Sequence, residues 1–410
     1  MTTASESSGS IWLSEARLVD LEQATASPPL TLEIQDGRVA ELRAAPPMGE
    51  HHVVDCRGLF LMPALTTCHV HLQATYPYAA RDPDEPAART ALRAAAHATR
   101  LLPLGIATVR TVHEQHQADL RVREAIDRGW ARGPRIIAGG RALTAVGGHG
   151  DGLGAATASG EDGFYGAAMR ELEAGADHIK IFASGGLARA GEALDRPELS
   201  QAEMRGAVRA AQSAGTYVVA HAASAQAIRV GLEAGVRCFE HAYLLDSSTA
   251  ARMAEAKAYL TPTLVVTHTD DWMAAAGFDR PARERSARMA ATHLASAKTA
   301  IEAGVQILHG TDFPPDGHSS GTTLTVRELE LLVAAGLTAP QALLAATRAP
   351  ASLLGLASTS TSLGRGAPAD LIGVADDPLY SVSALRDLRL VMHAGELVVG
   401  PRAAGPTLPS

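Results

Sequence analysis

Two histidines a single residue apart, His69 and His71, close the run Met62-Pro-Ala-Leu-Thr-Thr-Cys-His69-Val-His71. Successive side chains of an extended strand leave by opposite faces, so both imidazoles leave by the same one, and one metal ion can be gripped by both. Similar residues recur where other β-branched runs end. His221 follows Tyr217-Val-Val-Ala, His241 follows Val236-Arg-Cys-Phe-Glu, and Asp312 follows Gln306-Ile-Leu-His-Gly-Thr. Lys180 lies in His178-Ile-Lys-Ile-Phe182. An ammonium of ordinary pKa, about 10.4, has no lone pair and repels a cation. Held between Ile179 and Ile181 in a cationic pocket it is expected to be neutral. A neutral amine adds carbon dioxide to form a carbamate, an anionic two-oxygen group able to bridge two metals.

These residues need a frame that collects strand ends. From about Leu61 to Gly355, short β-branched runs alternate with Ala-rich helical stretches, the signature of βαβ units and a parallel sheet. Eight candidate strands end near His69 to His71, Arg110, Gly139, Phe182, His221, His241, Val266 and Asp312. Helical patterns cover 87–102, 201–214, 225–234, 283–303 and 325–335. The predicted fold class is α/β, a (β/α)8 TIM-like barrel, whose active site belongs at the C-terminal ends of its strands. Satisfied core histidines and a solvated aspartate would account for these residues only through coincidence at several strand ends of one rim.

The first sixty residues and the last fifty read differently, as short strands with turns such as Asp36-Gly37 and Ala394-Gly395. We expect 1–62 and 362–410 to form a small β-sandwich domain and 63–361 the metal-binding barrel.

Composition narrows the class. The 410 residues are 46% hydrophobic and 20% charged, as in an ordinary globular protein. Lys and Arg number 36 against 44 Asp and Glu, a net charge of −8 that argues against a nucleic-acid binder or an anionic-membrane partner. Three cysteines fit a reducing compartment, and Met1 to Ser10 has neither a cationic nor an apolar export segment, so a cytoplasmic location is expected. No apolar stretch reaches a bilayer span. A glycine-rich stretch, Gly185 to Leu199, is long for a βα turn and reads as a lid, and nucleotide motifs are absent from strand ends.

The chain resembles the amidohydrolase superfamily, in its imidazolonepropionase-like and Xaa-Pro dipeptidase-like branch of metal hydrolases. The resemblance rests on the His69 segment, Gly133-Pro-Arg135, Gly140-Arg-Ala-Leu-Thr144, Gly147-Gly-His-Gly-Asp151, Ala176-Asp-His-Ile-Lys-Ile181, Val219-Ala-His-Ala222, Phe239-Glu-His241, Pro262-Thr-Leu264, Gly310-Thr-Asp312 and Gly364 to Leu371. It implies a binuclear centre: one metal on His69, His71, carboxylated Lys180 and Asp312, the other on Lys180, His221 and His241, with a bridging hydroxide. The family's usual Asp and Gly before the first histidine are Thr67 and Ala64 here, which bears on the surroundings of the ligands rather than the ligands themselves. Phe313-Pro-Pro315 also departs from the small residues common there.

The implied chemistry is hydrolysis of an amide-type C–N bond in a small molecule, such as a dipeptide, N-acyl amino acid or aryl amide. Asp312 is the expected proton-transfer residue. His149, with Tyr243 second, is the expected donor to the substrate carbonyl, and Arg141 the expected partner of a substrate carboxylate. His178 reads as structural, and His113, His116, His268 and His318 as rim or solvated loop residues. Two divalent ions are expected, with zinc suited to the ligands and cobalt, manganese or iron compatible. A lactonase or phosphotriesterase is the alternative. Deamination is disfavoured because His221-Ala-Ala-Ser224 lacks the His-x-x-Glu of that group, and a scaffold role because no ligand is missing. A homo-oligomer is expected.

Overall fold

The computed structural model describes residues 10–45, 52–187, 189–356 and 362–400; the expectation for the opening residues thus lies almost wholly outside them. The chain divides into two compact units. One comprises Met1–Leu65, Leu102–Ala107 and Ala339–Ser410, the other Thr66–Leu101 and Thr108–Thr338.

In the first unit the two ends of the chain share one sheet. Strand Phe60–Pro63 pairs antiparallel with Leu371–Val374, which continues to Leu388–His393 and Glu396–Val399; on its other side it meets Ile11–Asp20, followed by Leu30–Gln35 and Arg38–Arg43. Ile11–Asp20 serves four ladders, and its register with Leu30–Gln35 shifts between Leu13 and Ala16, where Glu15 takes a φ of 57°. Asp36 and Gly37, both at positive φ, close the hairpin that their sequence signals. Leu13, Leu32, Ile34, Val39, Leu61, Leu371, Leu390 and Met392 form the buried core.

The second unit holds the strands that carry the chemical residues. A parallel sheet runs Leu143–Ala145, Ile179–Phe182, Val218–Ser224, Cys238–Leu244, Tyr259–Thr261 and Gln306–Ile307, with Ala156–Ala158 on the outer side of Leu143–Ala145. A second sheet orders Leu65–Val70, Ile106–Thr111 and Arg135–Ile137. Backbone bonds reach across both gaps: Cys68 N–H donates to His309 O (2.7 Å) and the Thr311 and Asp312 N–H groups to His69 O (both 3.1 Å), while Asp177 N–H donates to Ala138 O (2.7 Å). Between strands lie Ala87–Leu101, Gln201–Ser213, Ala225–Ala234, Arg280–Glu302 and Leu324–Ala334, close to the five helical patterns read from sequence.

Two expected strands are shorter than read. The run through Val266 ends as a strand at Thr261. Thr263 turns at a φ of 55°, and Val265–His268 is helical because the buried Glu328 carboxyl accepts the Leu264 and Val265 N–H groups (3.0 and 2.8 Å). The run ending at Asp312 is ladder-paired only over Gln306–Ile307. Gly310 interrupts it where a Cβ would lie 2.8 Å from the His69 backbone nitrogen.

Candidate metal centre

The strand ends converge. His69 and His71 both direct Nε2 at Asp312 Oδ1, at 3.3 and 3.1 Å. The ligating atoms of these three residues lie within 4.8 Å of one another, so they form a group able to hold a metal ion. The His69 and His241 ring centroids are 5.0 Å apart, and those of His221 and His241 4.5 Å apart. Lys180, 1% exposed, lines the same cavity, and its Nζ has no hydrogen-bond partner among the described residues.

Each of the four imidazoles has one nitrogen taken up by the surrounding protein, which leaves the other available. His69 Nδ1–H donates to the Glu240 carboxylate, and His71 Nδ1–H to the His113 carbonyl (2.9 Å). His241 Nδ1–H donates to the Thr263 hydroxyl (2.7 Å), whose own proton goes to Pro262 O (2.6 Å). These three keep the Nε2 lone pair free. His221 is reversed: Nε2–H donates to Gly185 O (3.1 Å), leaving Nδ1. Partners of this kind fix tautomer and ring orientation for a metal. Burial, with the neighbouring positive charges next, holds His221 and His241 well below the ordinary imidazole range, so both are neutral.

The donor set of His69, His71 and Asp312 fits a divalent ion, and Lys180, His221 and His241 line the same cavity. Burial lowers the Lys180 ammonium to about 8, so an amine lone pair is accessible near neutral pH, and no hydrogen bond among the described residues uses it. Burial would raise the Asp312 carboxyl, but the surrounding imidazoles, His69 first, outweigh it and hold the group ionised. His241 and Asp312 sit at φ values of 71° and 60°, a left-handed backbone uncommon outside glycine that turns each side chain off its strand. The Asp312 turn is tied down by its N–H on His69 O (3.1 Å) and by Tyr76 Oη donating to its carbonyl (2.8 Å).

The surrounding cavity is lined by His69, His71, Lys180, His221, His241 and Asp312 together with Tyr78, Arg81, His113, His149, Phe182, Tyr243, Phe278 and Phe313. His149 stacks on His221 with ring centroids 4.5 Å apart. Its Nδ1 pairs with Glu192 (2.6 Å), so its Nε2 remains free, and its backbone N–H is held by Glu198 (2.7 Å). Glu192 and Glu198 come from the stretch expected to be a lid, which in this structure positions His149. Tyr243 is buried and stacks on His241 at 5.2 Å. Burial keeps its hydroxyl protonated far above neutral pH.

Arg141 is not brought to the site. Its guanidinium makes two bonds (2.9 and 2.7 Å) to Glu171, a fully buried carboxylate that needs a counterion, and it does not border the cavity. The expectation that it binds substrate is corrected. His178 is buried and stacks on Tyr217 at 5.5 Å. Of the rim histidines only His113 lines the cavity; His116 bonds Glu85 O (2.9 Å), His268 bonds Leu264 O (2.9 Å), and His318 is exposed.

Sequence reasoning missed two buried charges beneath the ligands. Arg110, with no exposure, reaches Glu240 Oε1 through Nη2 (2.6 Å) and Cys68 O through Nε (2.7 Å). Burial alone would raise the Glu240 carboxyl, yet Arg110 and then His69 bring it down to about 2, so the His69 partner is always ionised. A signal existed: Glu240 shares a strand face with Cys238, inside an otherwise apolar run. Arg81 and Phe278 lie in loops and Tyr78 in the short 3-10 helix Tyr78–Ala80, segments whose approach to the cavity had no periodicity to announce it.

Comparison with known proteins places these features in context. The family model described as "Amidohydrolase family" matches residues 60–398. The ochratoxinase of Aspergillus niger is 28% identical over 374 residues, covering 83% of this chain and 76% of that protein. A prolidase solved in complex with N-methylphosphonate-L-proline is 27% identical with a TM-score of 0.85, covering 95% of this chain and 100% of that one. A Xaa-Pro dipeptidase with methionine bound in its active site is 26% identical with a TM-score of 0.84, again covering 95% and 100%.

Proposed function

The chain belongs to the amidohydrolase family, a hydrolase acting on C–N bonds, and from that premise we propose that it cleaves a peptide-like amide in a small molecule at a binuclear metal centre. In this reading residues 63–361 form a closed (β/α)8 barrel, and 1–62 with 362–410 a β-sandwich. The ligands are His69, His71, Lys180 as its carbon-dioxide-derived carbamate, His221, His241 and Asp312, and zinc suits them. The carrying observation is that all four imidazoles have one nitrogen engaged by protein while Lys180 Nζ, buried in the same cavity, has no hydrogen-bond partner among the described residues.

Two divalent ions bound there would supply Lewis acidity and, by lowering the pKa of water from 15.7 toward about 7, a nucleophile at neutral pH. Asp312 takes the proton of the attacking water on its carboxylate and passes it to the leaving nitrogen. His149, donating Nδ1–H to Glu192, has a second proton to offer from Nε2 to the carbonyl oxygen only in its imidazolium form, and Tyr243 offers a neutral donor as negative charge develops there. The prolidase and dipeptidase neighbours were solved with amino-acid ligands, which supports dipeptides and N-acyl amino acids as the first substrates to try.

The experiment is to reconstitute the protein with zinc, measure metal content, and incubate it with dipeptides, N-acyl amino acids, aryl amides, lactones and phosphotriesters beside Asp312→Asn. Release of an amine, reduced at least about 10²-fold in the variant while the fold is kept, is the expected result. Turnover of esters alone would replace this reading with a lactonase or phosphotriesterase, and a protein that binds no metal would overturn it.

A further inference from the structure

Arg81 contributes the one guanidinium among the described residues that line the cavity, and its Nη2 is buried with no hydrogen-bond partner. A charged group desolvated without a partner is costly, so an unmatched guanidinium facing a ligand cavity points to an anion supplied from outside. The nearby carboxylates are already committed. Glu114 accepts the Leu72 and Gln73 N–H groups (2.6 and 2.8 Å), Glu85 is bound by Arg93 Nη1 (2.7 Å), and Asp82 accepts the Asp84 N–H (3.0 Å). Arg81 also borders a smaller polar cleft that includes Asp82 and Glu85.

Arg81 is placed with respect to the metal centre by the segment that carries it. Its N–H donates to Tyr78 O (3.1 Å), and Tyr76 in the same segment donates to the Asp312 carbonyl (2.8 Å). Around that link stands an aromatic wall. Tyr76 lies 5.4 Å from Trp272 and 5.7 Å from Phe313, and Tyr78 lies 6.0 Å from Phe278, by ring centroids. One side of the cavity therefore offers an apolar, ring-shaped surface with a single cationic fork beside it.

We propose that Arg81 binds the free carboxylate of the substrate, so that the preferred substrates are N-acyl amino acids with an aromatic or large apolar group against the wall of Tyr78, Phe278 and Phe313. The guanidinium fork matches a carboxylate in two parallel bonds, and in an N-acyl amino acid the carboxylate stands on the carbon next to the scissile nitrogen. A neutral lactone or phosphotriester offers no such anion. This inference rests on the reading of the site as an amide hydrolase, and its test separates the two.

The probes are N-benzoyl-L-phenylalanine and its carboxamide, N-benzoyl-L-phenylalaninamide, given to the zinc-loaded full chain, with Kd read by calorimetry and KM and kcat by amine release. Wild type should favour the acid, and Arg81→Gln should raise Kd and KM for the acid by about 10- to 100-fold while leaving the carboxamide unchanged. Arg81→Lys should recover part of the loss. Circular dichroism and metal content should be unaltered in both variants. An acid that does not bind, a wild type indifferent to the carboxylate, or equal losses for both probes would overturn the assignment. Carboxylate-dependent binding lost in Arg81→Gln, with no hydrolysis of any amide, would support Arg81 and count against amide hydrolysis.

Discussion

Glu240 shows how one buried carboxylate can govern a ligand set. It fixes the His69 tautomer while answering the charge of Arg110, and both residues have no solvent exposure. Glu240→Gln removes the negative charge from both partners at once. Metal affinity should fall about 10- to 100-fold, measured by competition with a chromogenic chelator, because the single amide oxygen must serve both His69 and Arg110 and no longer carries the charge that orients the ring. Stability should fall by roughly 3–5 kcal/mol in urea unfolding, because Arg110 is left buried without a counter-charge. An unchanged affinity with lowered stability would reduce Glu240 to a packing role.

Helices set the distances that these residues require. Gly160–Glu173 and Gln201–Ser213 pack so closely at Gly206 that a Cβ there would meet Glu161 O at 2.1 Å. Gly206→Ala must separate the helices, and we expect a loss of about 1–3 kcal/mol. Gly166→Ala, on the first of these helices where a Cβ finds nothing nearer than Arg170 Nη1 at 3.6 Å, should instead stabilise by about 0.5–1 kcal/mol. Thermal melting of the pair, read in opposite directions, checks the packing. The Val265–His268 helix supplies a pH signature. Burial raises the Glu328 carboxyl to about 8 from an unfolded value of 4.5, so between these values the folded chain holds a proton that the unfolded chain has released. Its contribution is full below pH 4.5 and is lost as pH rises through 8. From pH 5 to 8 the wild type should therefore lose roughly 3 kcal/mol more than Glu328→Gln in denaturant unfolding. The variant gives up one acceptor at every pH, so the slope rather than the level is the readout.

Metal loading should report on the folded chain, since ligands drawn from distant strands assemble only there. Chelation should lower the thermal midpoint, and zinc at about 10³ times its Kd should return roughly 4 kcal/mol. Restoration should be faster with bicarbonate for wild type and indifferent to it for Lys180→Ala, which should also bind less metal. Among the described residues no helix is long and apolar enough to cross a membrane, and Cys56, Cys68 and Cys238 are buried and unpaired. Much of this was legible in the linear chain. Strand-end histidines, the lysine between two isoleucines and the five helical patterns are local: a strand's two-residue period and a helix's apolar stripe are written in consecutive residues. The sheet shared by the two chain ends was likewise announced by their common grammar of short strands and turns. Contacts across sequence were not. Arg141 was drawn away by Glu171, Glu192 reached back to hold His149, and Arg81 was left unpaired beside the cavity, each through loops with no repeat to read. Residue types and their spacing determined which chemistry the chain carries. Only the tertiary structure decided which charges meet, because the pairing of a buried charge depends on every neighbour that folding brings near it.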